Sequence, residues 1–122
     1  MSFTPLGNTT MPSKGMVVNI MDAQTVDETK STVICPSPGI RNHKFSIRVS
    51  ANVTGAIQLE TAPSPDYTGV WSPLGGGPID LSTIGAAGVL EEMFSNLVIT
   101  AARARISTVV AGGNVSVDYQ GS

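Results

Sequence analysis

The seven residues Lys44-Phe-Ser-Ile-Arg-Val-Ser50 decide the fold. Apolar side chains stand at the odd-numbered residues 45, 47 and 49 of this stretch, and polar ones at the even-numbered residues. Because successive side chains of a β-strand point to opposite faces, this alternation is typical of a strand with one buried and one solvated face. Antiparallel sheets have one face on the core and the other toward water. The stretch therefore predicts an antiparallel sheet.

Two later segments show the same alternation. Their apolar positions are Ala102, Ala104, Ile106, Val115, Val117 and Tyr119, and their polar positions are Arg103, Arg105, Ser107, Asn114, Ser116, Asp118 and Gln120. Other β-branched segments are separated by Gly, Pro and Asn at intervals of about 8–12 residues, a spacing typical of sandwiches. The predicted strands are Met16–Ala23, Thr29–Cys35, Lys44–Ala51, Ala56–Thr61, Gly69–Leu74, Gly88–Phe94, Leu97–Val109 and Asn114–Tyr119. We predict an all-β chain, with residues 16–122 forming one antiparallel β-sandwich or jelly-roll-like domain.

The first fifteen residues show no strand or helix period and contain two prolines and two glycines. Residues 1–15 therefore predict an extended N-terminal arm. Two interpretations fit it: a frayed terminus, or an arm that Phe3, Leu6 and Met11 anchor on a neighbouring subunit.

Two glycine-rich connections also stand out. Ala111-Gly-Gly-Asn114 offers residues that tolerate positive φ, so it predicts a tight hairpin between the last two strands. The stretch Leu74–Gly88 is the longest irregular segment predicted in the domain, and loops of that length are often functional.

The composition indicates a protein that binds other proteins. The chain has 122 residues, enough for one domain, and only 13% of them are charged, against roughly 25% in typical soluble domains. Neutral polar surfaces are covered by a partner at lower desolvation cost than Lys or Glu. A net charge of −2 gives no basic field for nucleic acid. We also expect no membrane segment and no secretion signal, so synthesis is expected in a cytoplasm.

Reactive residues do not converge in the sequence, so we expect no enzyme, no cofactor and no metal site. The one histidine, His43, is interpreted as a solvated loop residue just before a strand. The one cysteine, Cys35, precedes a proline and is interpreted as a structural thiol. The adjacent Glu91 and Glu92 point to opposite faces of a strand and cannot act together. The triple glycine at 75–77 lacks the strand, helix and lysine of a phosphate-binding loop.

Arg103 and Arg105 are predicted to point from the same face of one strand. They form either a solvated face or a guanidinium pair that binds carboxylates of a partner. Trp71 and Tyr67 flank a proline-rich turn. Core packing is the favoured interpretation of Trp71, and stacking on a ligand is the alternative.

Three stretches carry a family resemblance: Phe45–Trp71, Phe94–Ser107 and Gly112–Gly121. In strand texture and turn composition they resemble small virion structural proteins of tailed bacteriophages. The resemblance implies a β-sandwich or jelly roll that decorates the capsid exterior, cements it as a homotrimer and binds the major capsid protein. No functional residue carries over from it. A tail or baseplate module, and a carbohydrate-binding domain that uses Trp71 and Tyr67, are the alternatives.

Overall fold

The structure is a computed structural model that describes residues 9–26, 32–86 and 88–122. These residues form ten β-strands and one short 3₁₀ turn. The strands are β1 (Thr9–Thr10), β2 (Val17–Gln24), β3 (Val33–Ile34), β4 (His43–Val49), β5 (Thr54–Ala62), β6 (Ser72–Pro73), β7 (Ile79–Asp80), β8 (Val89–Phe94), β9 (Ala101–Ala111) and β10 (Val115–Gly121). The 3₁₀ turn, Leu81–Thr83, follows β7 directly. The predicted all-β class is confirmed.

The strands form two sheets. The first sheet has the order β1-β3-β9-β5-β6, with β7 also pairing with β5, and the second has the order β2-β10-β4-β8. Among the strands that the structure describes, only β1 and β3 pair in parallel. The chain changes sheet at every connection from β2 to β5 and again from β8 to β10. This alternation gives the strand order of a jelly roll built from two Greek keys, so the predicted antiparallel sandwich is confirmed.

The core lies between the sheets, and the alternating segments face it as predicted. Phe45 and Ile47 of β4 are fully buried, and Ala104 and Ile106 of β9 are buried on the facing sheet. The ring of Tyr119 meets Phe45 edge to face, with 5.2 Å between centroids. Each large apolar side chain buried in this way contributes about 1.5–3 kcal/mol. The packing of these strands is therefore the main stabilising contribution.

The connection between the last two strands is not the predicted hairpin. β9 pairs with β3 and β5 in the first sheet, whereas β10 pairs with β2 and β4 in the second. Gly112 has the expected positive φ of 90°, but the turn crosses between the sheets. It packs on the β4–β5 crossing, where the Asn114 amide donates to Ser50 Oγ at 2.9 Å. The hairpin prediction was wrong because a turn's residues do not determine which sheet the next strand joins.

Other elements differ from prediction in extent. The predicted strand at 69–74 reduces to β6, and β9 begins at Ala101 rather than at residue 97. The segment predicted as irregular contains β7 and the 3₁₀ turn, whose Leu81 is fully buried. Asp80 caps this turn by accepting a hydrogen bond from the Ser82 amide at 3.0 Å. The part of the predicted second strand before residue 32 lies outside the described residues.

Residues 9–15 of the predicted arm lie along the sandwich. Thr9 and Thr10 pair with β3 at the edge of the first sheet. Further on, the Ser37 amide donates to the Pro12 carbonyl at 3.0 Å, and the Gly15 amide donates to the Gly121 carbonyl at 2.8 Å. The first described residues are therefore held along the sandwich by backbone hydrogen bonds.

Candidate interaction surfaces

Arg103 and Arg105 lie on the outer face of the first sheet and point the same way, as predicted. The β5–β9 register places them opposite Glu60 and Gln58, respectively. Arg103 Nε donates to Glu60 Oε1 at 3.0 Å, and Arg105 Nε lies 3.4 Å from Glu60 Oε2. Gln58 Nε2 donates to the same Oε2 at 2.8 Å. Two guanidinium groups and one amide therefore share a single carboxylate of their own chain.

Glu60 is only 4% exposed, although it lies on an outer face. A carboxylate buried to this degree is tolerated when donors surround it, as the two arginines do here. Sequence reasoning did not single out Glu60. Arg103 is 43 residues further along the chain, and only the register of β5 against β9 could have paired them. No such register can be read from one sequence.

Trp71 covers this part of the outer face. The centroid of its ring lies 4.1 Å from Arg103 Cζ, within range of a cation–π contact, and its Nε1 donates to the Tyr67 carbonyl at 3.1 Å. With Val33 and Ala101 it forms a second, smaller apolar cluster. Trp71 is 5% exposed. The core-packing interpretation is thereby supported, and the ring face that Arg103 covers is closed to a sugar.

His43 is not the solvated loop residue that the sequence predicted. It is the first residue of β4 and is 2% exposed. Its Nε2 lies 2.9 Å from the Leu97 carbonyl and its Nδ1 lies 2.7 Å from the Tyr119 hydroxyl. Since a carbonyl only accepts, Nε2 donates to it, and the neutral ring accepts the Tyr119 proton at Nδ1. The prediction was wrong because the strand begins one residue earlier than the polar neighbours of His43 indicated.

Burial sets the protonation of this pair. Burial lowers the pKa of His43 below its ordinary value of 6.5, and burial raises the pKa of Tyr119 to about 12. Both rings are therefore neutral near pH 7. With both imidazole nitrogens engaged in hydrogen bonds, His43 acts as a structural core residue.

Cys35 is half-buried beside the Trp71 cluster. Burial raises the pKa of its thiol above the ordinary value, which disfavours the reactive thiolate. Within residues 9–26, 32–86 and 88–122 no cluster of His, Cys, Asp and Glu has a geometry suited to a metal ion. No helix in these ranges is long and apolar enough to span a membrane.

The outer face of the second sheet carries exposed charges in cross-strand rows. Arg48 Nη2 lies 3.0 Å from Asp118 Oδ2, and their side chains are 47% and 24% exposed. Lys44 Nζ lies 3.4 Å from Glu91 Oε2, with 37% and 49% exposed. Within the described residues no buried apolar cluster like that of Trp71 lies on these pairs. This face is open to solvent, and the exposed apolar side chains of Val17, Val89 and Met93 lie on it beside the charged pairs.

Met11, the one described residue of the three predicted arm anchors, lies at a groove. It is 69% exposed, and Val98, which also lines the groove, is 65% exposed. Together with the loop at 35–41 they line a groove of about 440 Å³. Phe3 and Leu6 lie outside the described residues.

No protein-family model matches the chain, and a search of curated proteins finds no relative of it.

Proposed function

We propose that the chain is a structural protein of a tailed-bacteriophage virion that decorates the capsid exterior. In this role it binds the major capsid protein, assembles with itself as a homotrimer and has no catalytic role. The observation that carries the proposal is the jelly-roll strand order of the two sheets. Jelly rolls are recurrent in viral capsid domains. This support is an analogy of fold, and it agrees with the family resemblance of the strand segments.

The surface supports a binding role. Apolar side chains that are well exposed occur on several elements: Met11, Val17, Val70, Val89, Met93, Val98 and Val109. Charged residues make up only 13% of the chain, so much of the surface can be covered without removing water from ions. If each protomer of a homotrimer makes a modest contact with a symmetric capsid, the linked contacts together would bind the trimer much more strongly than one contact alone.

The geometry gives less support to sugar binding. Trp71 is buried under Arg103, and its indole N–H is already bonded to Tyr67. The aromatic platform that a carbohydrate site needs is therefore occupied by the chain itself.

Co-sedimentation tests the proposal directly. The purified chain is mixed with heads and, separately, with tails of the phage that encodes it. We expect saturable binding to heads and a solution mass three times the 12.6 kDa of one chain. Binding to tails alone would instead favour a tail or baseplate module, and binding to neither would refute a virion role.

A further inference from the structure

The edges of the two sheets differ in how they are protected. Exposed sheet edges pair readily with other strands, so proteins shorten, bend or cover them. In the first sheet, β1, β6 and β7 have two residues each, and β6 contains Pro73. In the second sheet, β2 has register irregularities against β10, and its Ile20 carbonyl accepts a bond from the Thr32 amide at 2.9 Å. These edges resist strand addition.

Among the described residues β8 is neither very short nor irregular, and its charged residues Glu91 and Glu92 discourage only pairing with another acidic strand. It runs for six residues, contains no proline and keeps a regular register against β4 from His43↔Phe94 to Arg48↔Val89. No described strand pairs with its other side. A long and regular edge of this kind is suited to strand addition.

The hydrogen-bond phase of β8 follows from two contacts. The Val49 amide donates to the Gly88 carbonyl at 3.2 Å, and Asn42 and Ser122 exchange both of their backbone bonds. Hydrogen-bonded and non-hydrogen-bonded pairs alternate in an antiparallel ladder. The even-numbered residues of β4 therefore bond to β10 and the odd-numbered ones to β8. The backbone groups of residues 90, 92 and 94 of β8 therefore bond to β4. Those of residues 89, 91 and 93 point away from β4, toward the open edge of the sheet.

The same three residues present a simple side-chain pattern. Val89 is 57% exposed and Met93 is 69% exposed, and between them the Glu91 side chain is 49% exposed. An added strand would therefore meet an apolar, an acidic and an apolar side chain in turn.

Charge decides between the candidate occupants of this edge. A second copy of β8 paired antiparallel about Glu91 would place Val89 opposite Met93, but also Glu91 opposite Glu91, and like charges directly opposite are destabilising. A basic residue opposite Glu91 gives a favourable pair instead. We propose that β8 binds, as an added antiparallel strand, a partner segment with the pattern apolar-x-basic-x-apolar. This inference deepens the proposed function and rests on it only for the identity of the partner.

Two peptides test the edge without any virion. One is acetyl-Thr-Val-Thr-Lys-Thr-Val-Thr-amide, and the other has Glu in place of Lys. In a titration followed by ¹⁵N NMR, we expect the Lys peptide to shift the amides of residues 89, 91 and 93. We also expect it to bind about fivefold more tightly than the Glu peptide, because Lys opposite Glu91 forms a favourable charge pair whereas Glu opposite Glu91 forms a repulsive one. No shift along β8 at millimolar peptide, or equal binding of the two peptides, would overturn the proposal.

Variants separate the edge from the rest of the surface. Val89→Pro removes an outward N–H and leaves the β4 ladder intact, and Met93→Lys places a positive charge beside the site. Both should lose binding of the Lys peptide. Val98→Lys is the matched control, because Val98 is 65% exposed and lies outside β8. Unchanged melting temperatures show that each variant is folded, and peptide binding by both folded β8 variants at the wild-type level would refute the proposal.

Heads of the encoding phage then distinguish the two proposals. If wild-type chain and Met93→Lys bind heads equally, β8 is not the docking edge and the proposed function stands. If wild-type chain does not bind heads but does bind the Lys peptide, the virion role fails and the edge site stands.

Discussion

The outer faces of the two sheets use the same kinds of charged residue in different ways. On the first sheet, the Glu60 carboxylate is buried between Arg103 and Arg105, and Arg103 stacks on the buried Trp71 ring. On the second sheet, the pairs around Asp118 and Glu91 remain exposed. Burial raises both the strength of a charge contact and the cost of losing one partner. The charged network of the first face therefore contributes to stability, whereas the pairs of the second face are solvent-exposed and contribute little.

The largest expected difference between the faces is at Trp71. Trp71→Ala should lower the free energy of unfolding by about 3–5 kcal/mol, because it removes a buried aromatic side chain and leaves a cavity. The control is Val70→Ala, since Val70 is 90% exposed and its loss should change stability by less than about 0.5 kcal/mol. Urea unfolding measures both. Equal losses of unfolding free energy at the two positions would contradict the conclusion that Trp71 is packed into the outer face of the first sheet.

Removal of the buried carboxylate is expected to have the next largest effect. Glu60→Ala leaves two guanidinium groups facing each other without their shared acceptor, which should cost about 2–4 kcal/mol after allowance for the exposure of Arg105. Glu91→Ala on the second face is the matched change and should cost less than about 1 kcal/mol. Denaturant titration of both variants provides the comparison. A Glu60→Ala loss no larger than that of Glu91→Ala would show that the buried network contributes no more than a surface pair.

The core between the faces should give a measurable pH dependence. The pKa of His43 is lowered by burial in the folded chain, so as the pH falls below about 6.5 the unfolded chain binds a proton first. Stability should therefore be complete above pH 6.5 and decline below it, by at most about 1.4 kcal/mol per pH unit, until the folded pKa is reached.

Since His43 is the one histidine of the chain, this part of the pH dependence can be assigned to it. His43→Gln should remove the decline between pH 6.5 and the folded pKa. Thermal melts of both proteins across this range make the comparison. A slope that persists in His43→Gln would show that another group is responsible.

The smallest effect is expected on the open face. Arg48→Ala removes an ion pair with Asp118 whose two side chains are 47% and 24% exposed, so the loss should stay below about 1 kcal/mol. In 1 M salt, where charges are screened within about 3 Å, the difference from wild type should shrink further. Unfolding at low and high salt measures it. A salt-independent loss of several kcal/mol would mean that the Arg48–Asp118 pair is shielded from solvent, as the Glu60 network is.

What the sequence predicted well depends on local pattern alone. The alternation around Phe45 and Ile47 determines which side chains are buried, because strand geometry leaves no other arrangement with one apolar face. The same holds for the outward direction of Arg103 and Arg105. Fold class follows from several such segments separated by turn residues.

What could not be predicted depends on partners distant in the chain. Glu60 is buried only because β9 brings two arginines beside it, and His43 is buried only because it meets Tyr119 and Leu97. Likewise, Gly112 has the predicted backbone conformation, but the sheet that β10 joins is determined by its pairing with β2 and β4. The open edge of β8 also becomes visible only when the strand order is known.

Amide hydrogen exchange of β8 tests most directly whether the chain works through this open edge. In the free protein the amides of Val89, Glu91 and Met93 should exchange rapidly, while those of Leu90, Glu92 and Phe94 are protected by β4. When the protein is bound to heads during exchange and released for measurement, the first three amides should become protected as well. Protection of residues 89, 91 and 93 that is unchanged on the particle would contradict the account.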